Sequence, residues 1–150
     1  MILNQQEMEA WLREELARQK KHSGMGTLLN MEAVGCDAEK RQIEICHLVD
    51  AWAENINGTT HGGIIAAVLD TAMGTLCRCY LQPDNSTATI NLNINYLRPV
   101  RTGEKLYARA ELIRHGRNLL WLRAVAWTAD VEKPCATGEG TFYKISPKDK

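Results

Sequence analysis

The residues in this chain that could do chemistry are a His-Gly-Gly sequence and an aspartate that follows it. His61, Gly62 and Gly63 stand where an apolar helical segment begins, and Asp70 interrupts the apolar run after them. Glycines at a helix start leave backbone N–H groups open to a ligand, and an ionised carboxylate among apolar residues is costly unless it is hydrogen-bonded or used. Together these groups could polarise a carbonyl and attack it. The structural alternative is that Asp70 faces water at a break in the helix or only accepts hydrogen bonds.

The spacing of these residues favours a site shared between two chains. Asp70 lies seven residues after Gly63, which is roughly 10 Å along a helix at 1.5 Å per residue. One subunit therefore cannot easily bring Asp70 to a carbonyl held at its own helix start. Two antiparallel helices related by a two-fold axis would bring each Asp70 to the start of the neighbouring helix. Small residues on the same face would let the helices approach, or would serve close packing within one chain: Gly63, Ala66, Ala67 and Gly74.

The composition describes a single, charge-balanced domain over residues 1–150. With 18 Lys and Arg against 18 Asp and Glu, the formal net charge is zero, which argues against a nucleic-acid binder that works by general electrostatics. No apolar run reaches membrane-spanning length, and the first residues lack a basic segment followed by an apolar one, so we expect no membrane partner. The five cysteines are odd in number and scattered, without C-x-x-C. We therefore expect reduced thiols, no metal site and a cytoplasmic location.

The pattern of apolar residues predicts an α+β chain. Apolar residues recur at helical spacing from Met8 to Leu16 and predict an amphipathic helix over residues 4–21. A second helix, over about residues 62–81, is apolar on nearly every side, so we expect other structure to wrap it. The predicted strands cover residues 27–36, 40–49, 86–97, 103–114, 118–130 and 134–145. This order indicates an antiparallel sheet wrapped around the long helix.

The strand at residues 86–97 alternates strictly between two kinds of side chain. One face is apolar and should lie on the central helix: Ile90, Leu92, Ile94 and Tyr96. The other face is polar and uncharged: Thr89, Asn91, Asn93 and Asn95. This polar face could meet solvent, another subunit or a wet cavity.

The stretch from Asn55 through Pro99 resembles the hotdog-fold thioesterases, and within them the phenylacetyl-CoA thioesterase-like (PaaI-like) branch. The matching residues are Asn55, His61-Gly62-Gly63, Asp70 and the motif N-x-N-x-x-Y-x-x-P over residues 91–99. The order of elements extends the resemblance over almost the whole chain. The resemblance implies a hotdog fold and a two-fold homodimer or a homotetramer with composite sites. It also implies hydrolysis of an acyl-CoA to a free acid and coenzyme A, without a metal or redox cofactor.

Each matching residue has an expected role in that hydrolysis. The Gly63 N–H would polarise the thioester carbonyl and stabilise the developing oxyanion. Asp70 of the partner chain would activate water as a general base, or attack directly to give an anhydride, and the sequence leaves both open. Asn55 would position the water or the carbonyl, and Thr89 matches a Ser or Thr that assists the Asp in related thioesterases. A plain loop or strand hydrogen bond is the alternative for both. For His61 we favour capping the helix or orienting the loop over acting as a base.

Coenzyme A carries phosphates, so the resemblance predicts a local basic patch. The candidates follow the Asn-rich strand or lie at the tip of the next hairpin: Arg98, Arg101, His115, Gly116 and Arg117. Ordinary solvated turn residues are the alternative. The acyl pocket should be apolar, with Met73, Leu76 and Cys77 of the central helix and residues of the N-terminal helix in its lining.

Two other functions fit the same residues. A non-catalytic acyl-CoA-binding protein would use the same cleft to sense its ligand. A hotdog hydratase or dehydratase would need a catalytic His with its acid in another arrangement than His61 before two glycines. An acyl carrier protein could also replace coenzyme A as the carrier. No G-x-S-x-G elbow, P-loop or dinucleotide fingerprint occurs.

Overall fold

The computed structural model describes residues 3–149, which form three α-helices, six strands and two short 3₁₀ turns. The helices are α1 (Gln5–Lys21), α2 (Met25–Leu29) and α3 (Gly62–Cys79). The strands are β1 (Glu32–Asp37), β2 (Gln42–Leu48), β3 (Ser86–Tyr96), β4 (Lys105–His115), β5 (Leu119–Trp127) and β6 (Ala136–Ile145). The 3₁₀ turns cover Ala51–Ala53 and Pro147–Asp149.

Helix α1 begins where the sequence supplies both halves of a capping box. The Asn4 side chain accepts a hydrogen bond from the Glu7 N–H at 3.0 Å, and the Glu7 carboxylate accepts one from the Asn4 N–H at 2.9 Å. On the inner face of the helix, Met8 and Leu12 are almost completely buried in the core. The helix predicted over residues 4–21 is therefore confirmed, with its first residue acting as the cap.

The chain departs from the prediction between α1 and β1. The sequence pattern predicts a strand over residues 27–36, but Met25–Leu29 form α2 and β1 begins only at Glu32. Gly24, with a φ of 98°, turns the chain out of α1, and Asn30, left-handed at a φ of 44°, ends α2. These two positive-φ residues bound a helical turn that a period-two pattern cannot reveal.

The six strands form one antiparallel sheet in the order β1-β2-β4-β5-β6-β3. Helix α3 lies against one face of this sheet and contacts five of its strands, β2 to β6, while α1 packs beside it against β1. The predicted antiparallel sheet around a long helix is therefore confirmed. Strands β1 and β3 are the two edges, and each leaves one side of its backbone unpaired within the chain.

The sheet and, toward the C-terminal end, α1 cover helix α3, but one side of the helix stays partly open. Its sheet-facing side is buried: Ile65, Val68, Leu69, Ala72, Met73 and Leu76. Its other side is only partly covered by its own chain: Gly63, Ala66, Ala67, Asp70 and Gly74. We call this second set the α3 stripe. The expectation that other structure wraps the helix on nearly every side is wrong for a single chain, because one sheet reaches only one face of the helix.

The apolarity of α3 has a structural explanation. By length and composition alone its 18 residues could cross a membrane, contrary to the expectation from the sequence, yet half of them are buried inside the fold. Its position in the core accounts for this composition, because a helix that faces the core must be apolar there. The helix ends at Cys79, two residues before the predicted boundary, and the N–H of Tyr80 donates back to the carbonyl of Cys77.

Strand β3 departs from strict alternation at one residue. Thr89 pairs with Phe142 and Asn91 pairs with Thr141, so Ile90 is an extra residue opposite a single step of β6. Because paired residues share a face, Thr89 lies on the helix side of the sheet with the buried Phe142. The prediction that Thr89 shares the face of the asparagines is therefore wrong, and this β-bulge is the reason.

Beyond the bulge the predicted apolar face is confirmed in part. Leu92 and Ile94 pack against the core, as expected. Ile90, the extra residue, is 58% exposed, and Tyr96 is 53% exposed. The helix side of β3 is therefore apolar only in its middle and remains open at both ends.

The asparagine face of β3 lies on the exposed outer surface of the sheet in the single chain. The Asn93 amide donates to Asn91 Oδ1 at 2.8 Å, and Asn93 and Asn95 line an open cavity of about 520 Å³ on the outer side of the sheet. Ion pairs such as Arg109 with Glu44, at 2.6 Å, occupy the neighbouring strands. In the single chain these asparagines are exposed and border an open cavity, which agrees with the solvent alternative.

Candidate active site

The start of α3 is capped by a histidine. The Gly63 N–H donates to His61 Nδ1 at 2.9 Å, so a neutral imidazole carries its proton on Nε2. A Cβ atom on Gly63 would lie 3.0 Å from this nitrogen, and that close approach explains the second glycine of the motif. The capping role predicted for His61 is confirmed. The N–H that we expect to bind a carbonyl is therefore already occupied by the imidazole in the free chain.

Tyr96 explains the first glycine of the motif. Its hydroxyl donates to the Gly62 carbonyl at 2.8 Å, and a Cβ atom on Gly62 would lie 3.3 Å from the tyrosine ring. The alternation pattern assigns Tyr96 to an apolar face and does not reveal this contact. The sequence offered one clue to this contact, which is that a tyrosine ends the strand expected to pack on the central helix. Tyr96 therefore ties β3 to the first turn of α3.

A cavity of about 360 Å³ opens beside the helix start. It is lined by Thr60, Gly62, Ile65, Tyr96, Leu97, Arg98 and Pro99. The guanidinium of Arg98 donates to the carbonyl of Pro134 at 2.8 Å, which fixes its stem at this place. The structure therefore brings one predicted coenzyme A contact, Arg98, next to the predicted oxyanion site.

Asp70 lies half-buried in the middle of the α3 stripe. The hydroxyl of Thr89 donates to Asp70 Oδ1 at 2.8 Å, a contact that depends on the bulge at Ile90. Among the described residues no donor reaches Asp70 Oδ2 within hydrogen-bonding distance. The structure thus pairs Thr89 with Asp70, while the assisting role of Thr89 stays a prediction, and the other carboxylate oxygen remains able to accept a hydrogen bond from water.

One chain does not bring the predicted catalytic groups together. Gly63 and Asp70 lie on the same side of a continuous helix, separated by roughly 10 Å along its axis. Both belong to the α3 stripe, which the chain leaves partly uncovered. The two halves of the site are therefore present on an open surface of the chain but not adjacent within it.

Asn55 is held inside its own loop. Its amide donates to the Thr59 hydroxyl at 3.0 Å, and its side-chain oxygen accepts from the N–H groups of Asn57 at 2.9 Å and Thr59 at 3.2 Å. This matches the structural alternative for Asn55. The loop is nevertheless anchored at the helix start, because the His61 N–H donates to the Ala53 carbonyl at 2.7 Å.

The other predicted coenzyme A contacts lie in separate places. Arg101 precedes β4 and Arg117 follows it, so the length of the strand, roughly 35 Å for its 11 residues, separates them. Gly116 and Arg117 line a cavity of about 470 Å³ that also includes Arg114 and Trp121. A single coenzyme A on one chain therefore cannot contact both ends of β4.

His115 lies outside the lining of that cavity. Its ring meets the edge of Tyr80, with ring centroids 6.1 Å apart. Burial lowers the pKa of His115, and the positive charge of Lys144 acts in the same direction. The imidazole is therefore less able than an ordinary histidine to offer a positive charge to a phosphate.

The residues expected to line the acyl pocket face the core instead. Met73, Leu76 and Cys77 have no exposed surface, so they lie behind the α3 stripe rather than in a cleft. Burial raises the pKa of the Cys77 thiol, and the charge of Asp70 raises it further, so this thiol is a poor nucleophile. Within residues 3–149, no three His, Cys, Asp or Glu side chains converge closely enough to hold a metal ion.

Comparisons with known proteins agree with this architecture. The family model of the thioesterase superfamily matches residues 57–135, more than half of the chain. The Escherichia coli medium/long-chain acyl-CoA thioesterase YigI is 32% identical over 108 residues, which cover 58% of this chain and 67% of YigI. A Halobacterium salinarum protein with a provisional esterase name is 40% identical over 92 residues. That match covers 57% of this chain and only 60% of the relative.

A solved structure extends the similarity beyond the matched segment. A Ralstonia eutropha protein, provisionally named a thioesterase related to phenylacetic acid degradation, superposes with a TM-score of 0.78 at 26% identity. The superposition covers 89% of this chain and 98% of that one. The family match, the sheet around α3 and the His-Gly-Gly and Asp70 motif agree, and the chain belongs to the thioesterase superfamily, with the hotdog fold of its PaaI-like members.

Proposed function

We propose that this chain hydrolyses an acyl-CoA thioester to a free acid and coenzyme A. The observation that carries the proposal is Asp70, whose carboxylate lies on the open α3 stripe with Oδ1 held by Thr89 and Oδ2 open to water. Family membership and the activity in the name of YigI support it. Coenzyme A enters as part of the substrate, and the reaction as proposed uses no bound metal or redox cofactor. The five free cysteines suit a reducing cytoplasm, which stays our expected location.

The proposed site is completed by a second copy of the chain. The α3 stripe offers a surface of small side chains on which two helices can approach closely. Edge strand β3 is 11 residues long and carries no charged side chain, although exposed edges usually carry charges that prevent pairing. Pairing of two β3 edges about a two-fold axis would set the two α3 helices antiparallel. Asp70 of one chain would then face the helix start of the other. A tetramer of such dimers remains an alternative assembly.

The helix start would bind the thioester carbonyl. The Gly63 N–H lies in the first turn of α3, at the positive end of the helix dipole, and would stabilise the oxyanion of a tetrahedral intermediate. Because His61 Nδ1 accepts this hydrogen bond in the free chain, the carbonyl oxygen has to replace the imidazole nitrogen at the N–H. His61 then acts as a placeholder that keeps the donor oriented until substrate arrives.

The partner's carboxylate would supply the attacking water. As a general base, Asp70 takes a proton while the water oxygen bonds to the carbonyl carbon. The intermediate then expels the thiolate of coenzyme A, which takes up a proton, and the acid is released. As a nucleophile, the same carboxylate would form an anhydride that water cleaves. Turnover in ¹⁸O-water separates the two routes, because only cleavage of an anhydride can place the label in Asp70.

Coenzyme A would extend from the helix start across the chain surface. Arg98 lies beside the cavity at the helix start and is our candidate for the first phosphate contact. Arg117, with the aromatic Trp121 in the same cavity, offers a second basic site for the nucleotide end. In a dimer, one ligand can contact Arg98 of one chain and Arg117 of the other.

The activity is tested by thiol release from short, long and aryl acyl-CoAs. The expected result is free thiol in proportion to enzyme, with at least one acyl class strongly preferred. Binding of acyl-CoA without thiol release would instead identify a non-catalytic binding protein. Hydration of an enoyl-CoA without thiol release would identify a hydratase.

The shared site is tested by mixing two inactive variants. Asp70→Asn removes the carboxylate, and Gly63→Val places a branched side chain against the His61 ring at the oxyanion site. After unfolding and refolding together, half of the dimers should be mixed and each should contain one intact site. About a quarter of wild-type activity should return for a two-fold dimer. If the mixture stays inactive while both variants form dimers, the two groups do not come from different chains.

A further inference from the structure

Another cavity lies beside the 3₁₀ turn that precedes the active-site loop. It has a volume of about 420 Å³. Its lining comes from α2, the end of β2, the 3₁₀ turn and the segment before β4, and it includes Leu28, Leu29, His47, Leu48 and Trp52. This volume falls within the usual range for small-molecule sites. None of these residues belongs to the proposed catalytic machinery.

His47 is an unsatisfied polar group in this lining. Its side chain is only 2% exposed, and its ring lies 6.0 Å from that of Trp52, centroid to centroid. His47 Nδ1 lies 2.5 Å from the carbonyl oxygen of Leu29. Within the described part of the chain, His47 Nε2 is the buried side-chain nitrogen or oxygen that lacks a hydrogen-bond partner. Buried polar atoms are normally paired, so this nitrogen is expected to meet a group that the chain itself does not provide.

The hydrogen bond between His47 Nδ1 and the Leu29 carbonyl determines which kind of group can pair with Nε2. A backbone carbonyl can only accept, so Nδ1 must carry the proton and donate it. In the neutral imidazole, Nε2 then has a lone pair and no proton. Nε2 therefore requires a hydrogen-bond donor, such as a hydroxyl or an amide N–H.

The exposed apolar side chains at the rim of the cavity favour a ligand whose main part is apolar. Leu28 is 51% exposed, Leu48 is 59% exposed and Trp52 is 42% exposed. Three large apolar side chains around one cavity form an exposed patch of the kind that marks binding surfaces. A ligand that covers them gains by burying apolar area, while one donor group at its end satisfies the imidazole.

We propose that this cavity is a second ligand site, separate from the thioester site, for a small molecule with an apolar body and one hydroxyl or N–H group that donates to His47 Nε2. The position of the cavity leaves it accessible in the proposed dimer. Strand β2 is next to edge β1, whereas the dimer would form through β3, at the opposite edge of the sheet. The proposal does not depend on hydrolysis, because His47 and Trp52 take no part in it.

The test compares two probes of nearly equal shape. Phenol has an aromatic body and a donor, whereas anisole has the same ring with a methyl ether and no donor. In ¹⁵N-labelled protein, phenol should shift the imidazole Nε2 resonance of His47 and leave those of His22, His61 and His115 unchanged. Phenol should bind about five- to tenfold more tightly than anisole, as one net hydrogen bond implies.

Three variants assign the two parts of the ligand to residues. His47→Phe keeps a ring but removes the acceptor, so the preference for phenol over anisole should disappear. Trp52→Ala should weaken both probes. Trp121→Ala is the matched control, since Trp121 is similarly exposed, at 40%, but lines another cavity, and it should change neither affinity.

Clear outcomes would overturn the proposal. Equal affinity of phenol and anisole for the unmodified protein would show that Nε2 is not used, even if His47→Phe fails to fold. A shift at His61 in place of His47 would place the probe at the thioester site. If neither probe binds and the Trp52 rim is protected in the assembled protein, a second copy or an ordered water occupies the cavity.

Discussion

Glu15, which packs against helix α3, and Asp70, which belongs to it, are carboxylates with different hydrogen-bond partners. The Glu15 side chain, 6% exposed, accepts hydrogen bonds from Arg18 to both of its oxygens, and from Gln19 and Arg78 to Oε1, at 2.7–2.9 Å. Asp70 accepts one hydrogen bond, from Thr89. Glu15 joins α1 to the end of α3, whereas Asp70 faces the open α3 stripe. The difference lies in how much acceptor capacity each carboxylate retains.

This difference indicates which of the two carboxylates is able to take a proton from water. Burial raises the pKa of Glu15, but the hydrogen bonds from Arg18 and Gln19 and the charges of Arg78 and Arg18 lower it further than burial raises it. The ionised form of Glu15 is thus fully paired and has no reason to exchange protons near pH 7. Asp70 keeps an oxygen for water. Changing each carboxylate to its amide should therefore separate catalysis from stability.

The largest expected effect is that of Asp70→Asn on turnover. Loss of a general base typically costs between about 100-fold and 10,000-fold, so kcat for thiol release should fall within or beyond this range. The asparagine can still accept from Thr89, so the free energy of unfolding in urea should change by less than about 1 kcal/mol. Full activity in this variant would remove Asp70 from the mechanism.

Glu15→Gln should lower the stability of the protein and leave its turnover almost unchanged, which is the opposite of Asp70→Asn. Arg18 and Arg78 lose a charged acceptor, and the free energy of unfolding should fall by about 1–3 kcal/mol. The loss is limited because Arg18 and Arg78 are 48% and 30% exposed and can turn to water. Below the melting temperature, kcat should stay close to that of the unmodified chain. A large loss of kcat in folded Glu15→Gln would end the distinction between the two carboxylates.

Thr89→Val should produce a smaller kinetic effect. The substitution keeps the shape of the side chain but removes the donor to Asp70 Oδ1, so kcat should fall about tenfold, the equivalent of one hydrogen bond. Thr89→Ser, which retains the hydroxyl, should recover most of the activity. Equal rates for the valine and serine variants would show that the bond only packs the strand against the helix.

His61→Ala measures how much of the helix start is structural. Loss of an N-cap should lower the free energy of unfolding by about 1 kcal/mol. If His61 is a placeholder, kcat should fall far less than in Asp70→Asn, since the Gly63 N–H remains. A kinetic loss as large as that of Asp70→Asn, in a folded protein, would instead make His61 the base.

The smallest expected effect is the change, in acid, of the contribution that Glu15 makes to the free energy of unfolding. Because the pKa of Glu15 is lowered in the folded chain, its stabilisation is present above the ordinary value of 4.5 and is lost as the pH falls through the lowered pKa. The difference in unfolding free energy between the unmodified chain and Glu15→Gln should be constant at neutral pH and shrink below pH 4.5. A difference that grows in acid would contradict the pairing of Glu15 as an anion.

The sequence predicts the parts of the site that depend on residue type and short spacing. The two helices, the cap at His61 and the isolated carboxylate of Asp70 all follow from local patterns, because caps and apolar periods are local properties. Arg101 and Arg117 look like one basic patch in the sequence, but a full strand separates them. Their distance depends on how the hairpins pair, and no local pattern contains that information.

Side-chain contacts between elements distant in the chain also lie beyond the sequence pattern. The bond from Tyr96 to Gly62 joins residues 34 positions apart, and it needs the sheet to be in place before it can form. Glu15 looks like one more charge on an exposed helix face, although it is almost completely buried by Arg78 and its neighbours. In both cases the tertiary partner, and not the residue type, decides the role.

The bulge at Ile90, and not the spacing of the residues in the sequence, determines which side of the sheet Thr89 faces. If β3 kept Ile90 but ran as a regular strand, Thr89 would lie on the side of Asn91, and its hydroxyl would point away from Asp70. Deleting Ile90 would make Thr89 and Asn91 consecutive residues on opposite faces, so the hydroxyl should stay beside the aspartate. A relative that is one residue shorter at this point can therefore keep the contact, whereas a relative of equal length with an unbroken strand would lose it.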